Sequence, residues 1–203
     1  MTRVVAFDIG KVLLDFDYGI FVRNMVPHTK LSVGELDELL NTSPLLAEYE
    51  SGSIDTQTFY ELIRKATGFT GDLKLFGGFF EAIFDPIQEI IDVQRRLHEK
   101  GVPTYTLSNT NELAVRHIAQ TYDFWPRFEG HVLSYEAKSL KPAARIYEVF
   151  EVTTGCEGQE IVYLDDRPEN IVAAKKRGWN AWQHVEPDQT LNVLATLGLP
   201  VNP

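Results

Sequence analysis

A chain of 203 residues, 44% apolar and 24% charged, can bury one well-packed core with a small insert. Its net charge of -10, with no basic block, argues against nucleic acid and anionic membrane as partners. No apolar run approaches the roughly 20 residues of a membrane span, and the single Cys156 excludes an internal disulfide framework or a cysteine cluster for zinc.

Met1-Thr2-Arg3 leads directly into an apolar run, without the apolar region and cleavage site of a secretory leader, so a reducing cytoplasm is the expected compartment. A monomer is the default expectation and a dimer the alternative. Val4-Val5-Ala6-Phe7 reads as a buried strand that delivers Asp8 to a loop opened by Gly10. The segment 17–85 then shows no strand pattern and several helical ones. Ser32 caps a helix carrying Leu36, Leu39 and Leu40. Asp55 caps another with Phe59, Leu62, Ile63 and Ala66 on one face and Gly68 as its stop. This stretch is too long for an ordinary loop and reads as a helical lid over the strand ends.

A helix is expected over 86–100, with Pro86 in its first turn, Ile87, Ile90, Ile91 and Leu97 as its apolar face, and Gly101 as its stop. A strand over 102–107 leads into Ser108-Asn109-Thr110, and one over 131–134 leads toward Lys141-Pro142. A helix over 142–150 should bury Ala143, Ile146, Tyr147 and Phe150. A strand over 161–164 ends in Asp165-Asp166. The helix after Pro168 carries Glu169 early and Lys175-Lys176-Arg177 late, complementing the helix dipole, and stops at Gly178. A short strand over 181–184 and a frayed tail over 198–203 complete the chain. Alternating strands and helices predict the α/β class with an open parallel sheet. The core is formed by 1–16 and 86–203, and the helical unit by 17–85.

In a parallel sheet the loops after successive strands gather along one edge. Asp8, Ser108, Asn109, Lys141, Asp165 and Asp166 should therefore converge. Phosphoryl transfer through an aspartate needs a carboxylate nucleophile, a magnesium ion held by oxygen ligands, and hydroxyl, amide and lysine donors for the phosphoryl oxygens. The sequence holds a candidate for each part.

These residues resemble the haloacid dehalogenase-like hydrolase superfamily, in its phosphatase branch with a helical cap. Phe7-Asp8-Ile9-Gly10-Lys11-Val12-Leu13-Leu14 is similar to the first motif, Leu107-Ser108-Asn109-Thr110 to the second and Lys141-Pro142 to the third. Tyr163-Leu164-Asp165-Asp166-Arg167-Pro168-Glu169-Asn170-Ile171 is similar to the fourth. The resemblance implies a Rossmann-like core with an inserted all-helical cap. It implies Asp8 as nucleophile, Ser108, Asn109 and Lys141 as phosphate-binding groups, and Lys141 as a catalytic partner of Asp8. Asp8, the Gly10 carbonyl, Asp165 and Asp166 would hold Mg2+.

One position departs from the family pattern. Family phosphatases usually carry a second Asp, the proton carrier, two residues after the nucleophile, where this chain has Gly10. A similar Asp-x-Gly-x-Val start occurs in members acting on sugar phosphates, such as those resembling bacterial alpha-glucose-1-phosphate phosphatase. Asp15 and Asp17 are candidate substitutes for the acid, and Lys11 would place a positive charge beside the site.

Simpler readings compete at several positions. Asp166, Ser108 or Asn109 would serve equally as helix caps. Asn170 either orients Asp166 or faces solvent. Phe76, Phe79, Phe80 and Phe84 line a pocket or form the core of the insert. Glu48, Tyr49 and Glu50 read as a loop facing the site, and His98 and His117 as ordinary helix positions.

The function expected is a magnesium-dependent phosphatase of a small phosphorylated metabolite, above all a sugar phosphate, working through an aspartyl-phosphate. Alternatives are a phosphate-binding or regulatory protein without turnover, a metal-free haloacid dehalogenase, or a phosphonate hydrolase. The last would need a cap lysine, for which Lys30, Lys65 and Lys74 are available.

Overall fold

The computed structural model describes residues 2–201. Its strands, in chain order, are β1 (Val4–Phe7), β2 (Leu14–Phe16), β3 (Phe84–Pro86), β4 (Thr104–Ser108), β5 (Gly130–Leu133), β6 (Ile161–Asp165) and β7 (Asn180–Gln183). Five of them make one parallel sheet in the order β5-β4-β1-β6-β7. β1 lies at its centre, which explains why all four of its residues are apolar and buried.

The period-2 alternation of β1 and β6 feeds both faces of this sheet. Val5, Phe7, Val162 and Leu164 join one core with residues of the helices Gln88–Glu99, Glu112–Thr121 and Pro187–Thr196. Val4, Ala6, Ile161 and Tyr163 join the other core with the helices Ala144–Thr154 and Pro168–Lys176. Helices on both faces give the three-layer, Rossmann-like α/β arrangement expected from the alternation. Because the strands are parallel, Asp8, Ser108 and Asp165 emerge at the same edge.

The stretch between β2 and β3 is helical, with elements at Tyr18–Met25, Val33–Thr42, Leu45–Glu50, Thr56–Thr67 and Leu73–Glu81. It has a largely separate core in which Phe21, Phe59, Phe76 and Phe80 are buried against one another. Phe76 and Phe80 are thus packing residues, and Phe79 packs at a tilt against His28. Ser32 and Glu35 form a reciprocal capping box, and Asp55 caps the helix Thr56–Thr67.

Several local expectations are corrected. β3 pairs antiparallel with β2, Phe16 opposite Phe84, so the end of the insert does contain a strand. Three residues are too few to show a period. Pro86 ends that strand, and the following helix starts at Gln88. The buried face of Thr56–Thr67 is Phe59, Tyr60, Ile63 and Thr67, which leaves Leu62 and Ala66 exposed. Tyr60 takes the inward place because its hydroxyl reaches the Gly71 carbonyl, 2.7 Å. Ala143 precedes the helix Ala144–Thr154 and is exposed. The segment 198–201 is tied down rather than frayed. Val201 is fully buried, and its carbonyl accepts a 2.7 Å bond from Arg96. The rest of the expected tail, and Met1, lie outside the described residues. No helix among the described residues is long and apolar enough to cross a membrane.

The turn after Leu45–Glu50 docks the insert onto the sheet domain. Gly52 adopts φ +68, and a Cβ there would collide with the Tyr135 carbonyl. Gly155, at φ +62, has open space around it. Both Gly→Ala changes should carry left-handed strain of about 1–2 kcal/mol, but Gly52→Ala should lower the melting temperature distinctly further. Equal melting temperatures for the two variants would show that the insert shifts freely at this turn.

Candidate active site

The ammonium of Lys141 organises the strand edge. Its Nζ lies 3.0 Å from Asp8 Oδ1, 2.6 Å from Asp165 Oδ2 and 2.9 Å from the Leu107 carbonyl. All three of its protons are thereby engaged, and the side chain is 1% exposed. Burial alone would lower its pKa, but Asp8 and Asp165 hold it above the usual lysine value. The Asn109 side chain fixes the loop below. Its Oδ1 accepts from Lys141 N at 2.7 Å, and its Nδ2 donates to the Lys141 carbonyl at 3.1 Å. Asn109 therefore acts through its side chain on Lys141, and the following helix is capped by Asn111 instead.

Asp165 is surrounded. Lys141, the Tyr163 hydroxyl, the Arg167 N–H at 2.8 Å and Asn170 Nδ2 at 2.9 Å all donate to it. Burial raises its pKa, and these donors, Lys141 first, bring it below the ordinary value. The capping role weighed for Asp166 is not filled: Asp165 holds the Arg167 amide, and no side chain caps the helix Pro168–Lys176. Asn170 is buried and orients Asp165 rather than Asp166. Asp166 is half-buried, and burial followed by the charge of Asp165 raises its pKa.

Burial also raises the pKa of Asp8, against the pull of Lys141, and Asp165 raises it further. The Ser108 hydroxyl, whose hydrogen bond goes to the Asn109 carbonyl at 3.4 Å, is near enough to favour the charged form of Asp8. Carboxylate oxygens of Asp8, Asp165 and Asp166 lie within 4.8 Å of one another. Three acids against one lysine leave a surplus of negative charge, which suits a divalent cation with oxygen ligands. Asn170 Oδ1 is buried without a hydrogen-bond partner, an acceptor suited to a metal-bound water. The donor set fits magnesium.

These groups open into a cavity of about 430 Å³. Gly10 and Asn109 line it, and their backbone N–H groups donate to no protein acceptor among the described residues. Above them stand Phe16 and Phe84 of the β2–β3 pair and Tyr18, Leu46 and Glu50 of the insert. A larger depression of about 850 Å³ beside Trp182 and Glu186 contains none of the strand-end residues.

The expected substitutes for an acid at position 10 are elsewhere. Asp15 pairs with Lys11, which also donates to the Phe16 carbonyl at 3.0 Å, and that bond to Lys11 holds the Asp15 pKa down. Lys11 lines the cavity, but its charge is taken up by Asp15. Asp17 caps the helix Tyr18–Met25 through Gly19 N at 2.7 Å and pairs with Arg23 at 3.1 Å, which lowers its pKa. Glu50, expected in a loop facing the site, ends a helix and lines the cavity. Burial and the Asp8 charge push its pKa up to about 7. Nothing in the sequence singles out Ser134, and Tyr163, though it opens the fourth motif, carries no sign that its hydroxyl bonds Asp165. His98 is exposed at a helix end, and His117 stacks on Phe84.

The haloacid dehalogenase-like hydrolase model matches residues 2–178, most of the chain. The chain belongs to that family. As a member hydrolase it is similar to sesquiterpene phosphatase astK of Aspergillus oryzae, 24% identical over 178 residues that cover 87% of this chain and 86% of that one. Its fold also matches a family enzyme of Bacteroides thetaiotaomicron, solved in complex with magnesium and inorganic phosphate. That match has a TM-score of 0.82 at 22% identity, over 91% of this chain and 95% of the other. An L-2-haloacid dehalogenase of Xanthobacter autotrophicus matches with a TM-score of 0.65 at 15% identity, over 100% of this chain and 85% of that one.

Lys141→Met should remove the one counter-ion that Asp8 and Asp165 share among the described residues and cost about 3–5 kcal/mol of unfolding free energy. A carboxyl whose folded pKa is raised stabilises below its unfolded pKa and loses that contribution as pH rises through the folded value. The loss in Lys141→Met should therefore be larger in urea unfolding at pH 8 than at pH 5.5. A pH-independent loss would mean that the two carboxylates find other donors.

Proposed function

We propose that this hydrolase is a magnesium-dependent phosphatase that cleaves a small phosphomonoester through an aspartyl-phosphate. The observation that carries this reading is Asp8 held by Lys141 at the floor of a cavity that also presents two unengaged backbone amides. Asp8 is the nucleophile, oriented by Lys141 and Ser108 for attack on phosphorus. Ser108 and the amides of Gly10 and Asn109 hold the phosphoryl oxygens, and Lys141 exchanges one of its protein acceptors for a phosphoryl oxygen as charge shifts in the transition state. Asp8, the Gly10 carbonyl and Asp166 would bind magnesium, which offsets the repulsion between the carboxylate and an anionic substrate. Asp165, whose oxygens are occupied, orients Lys141 and serves the metal only through water.

The insert closes over this chemistry as a cap spanning about 17–85, limiting bulk water. A sugar phosphate fits the cavity with a ring face on Phe16, Tyr18 or Phe84 and hydroxyls toward Glu50, Asn109 and Arg167. The apolar part of the wall, with Leu46, Ala114 and Ile118, favours a second reading in which an isoprenoid phosphate is the substrate. The rival chemistries are weaker. Among the described lysines only Lys11 and Lys141 line the cavity, so Lys30, Lys65 and Lys74 do not supply the amine for phosphonate cleavage. The three-carboxylate cluster is not what a metal-free dehalogenase requires. A cytoplasmic monomer is consistent with a free, buried Cys156.

Phosphate release from a panel of sugar, isoprenoid and activated aryl phosphates tests the proposal. Turnover should require magnesium, stop with chelator and disappear in Asp8→Asn. Binding of magnesium and phosphate without turnover on any ester would favour the regulatory alternative.

A further inference from the structure

We infer that Glu50, on the insert, is the catalytic residue that hands a proton to the leaving oxygen and later takes one from water, replacing the acid missing at Gly10. The inference rests on the phosphatase reading above and adds to it a second carboxyl, brought from the other unit of the fold.

Position 10 carries no acid, and an aromatic ring stands against it. A Cβ on Gly10 would lie 2.8 Å from Cε1 of Phe16, whose ring occupies the space a longer side chain would need. Asp15 and Asp17 are bound to Lys11, Arg23 and a helix start, and neither lines the cavity. The carboxyls that do line it are Asp8, Asp166 and Glu50. Asp8 attacks and Asp166 belongs to the cation cluster, so Glu50 alone has no assigned partner. Its carboxyl makes no hydrogen bond or ion pair among the described residues.

The backbone around Glu50 is fixed to the sheet domain on both sides. Its carbonyl accepts a 2.6 Å bond from the Ser134 hydroxyl. The preceding Tyr49 hydroxyl accepts from Leu113 N at 3.1 Å and bonds Thr56 at 2.8 Å. Lys138 Nζ donates to the Gly52 carbonyl at 2.7 Å, and the Thr56 hydroxyl meets Glu112. A carboxyl with no partner of its own, on a turn held this firmly, is suited to a partner that enters the cavity.

The proton balance closes over one cycle. Asp8 Oδ bonds to phosphorus as the ester P–O bond breaks. The electron pair goes to the leaving oxygen, which takes the Glu50 proton. Water then attacks the aspartyl-phosphate and gives a proton to the Glu50 carboxylate. The P–Oδ bond breaks, releasing inorganic phosphate and restoring the Asp8 carboxylate and the Glu50 acid.

The test compares wild type, Glu50→Gln and Glu50→Asp on the best alkyl phosphate of the panel and on p-nitrophenyl phosphate, whose leaving group needs no proton. In Glu50→Gln, kcat/KM on the alkyl ester should fall by about 10²–10⁴-fold, the usual contribution of a general acid. On p-nitrophenyl phosphate it should be largely retained, with a burst of nitrophenol as the aspartyl-phosphate accumulates. Glu50→Asp should recover part of the alkyl-ester rate. Equal losses on both esters would make Glu50 a binding or structural residue and overturn the inference. So would a wild-type enzyme that cleaves only the activated ester. A wild type inactive on every ester would remove the phosphatase reading and this inference together.

Discussion

A buried ammonium is costly, because taking an ion out of water carries a penalty of several kcal/mol that only close, complete pairing offsets. Lys141 meets that condition with three acceptors, and much of the site's architecture follows from satisfying it. Parallel pairing of β1, β4 and β6 brings Asp8, the Leu107 carbonyl and Asp165 to within reach of one amine. Asn109 then holds the Lys141 backbone, while Tyr163, Asn170 and the Arg167 amide hold Asp165. Each carboxylate is aimed by a donor that is itself aimed, so Asp8 is oriented without help from the insert.

The insert has a different logic. Its core is a cluster of aromatic rings meeting mostly edge to face, an arrangement that gives each ring a preferred place. Tyr49 belongs to this cluster, stacked on Phe59 at 4.5 Å, and it also bonds the start of the helix Glu112–Thr121. One residue therefore transmits the packing of the helical unit to the edge of the cavity. A loosened aromatic core would move Glu50 before it moved Asp8.

Much of this arrangement was legible in the chain itself. Val4-Val5-Ala6-Phe7 had to be a central strand because it offers no polar face, and a parallel sheet then gathers Asp8, Ser108, Lys141 and Asp165 with no further information. The division between sheet and helical insert was legible for the same reason: period and composition change together. What failed were choices between neighbours. Asp165 and Asp166 are adjacent acids, and only the direction of β6 decides which faces Lys141 and which faces the cavity. Tyr60 displaced Leu62 from a helix face because a distant carbonyl accepts its hydroxyl. Glu50 carries only a loose local pattern, since Ser134 on its carbonyl and Asp8 and Arg167 in the shared cavity are each remote in sequence.

The ring of Phe16 over Gly10 also ties two positions into one evolutionary unit. Phe16 carries the Lys11 ammonium 4.8 Å above its face, and Lys11 in turn holds Asp15. A side chain added at position 10 would have to turn the Phe16 ring aside, and with it one of the contacts that hold Lys11. Asp15 and the Phe16 carbonyl would still keep that lysine in place. A change at position 10 is therefore felt first at position 16, and the two positions are best compared as a pair between related chains.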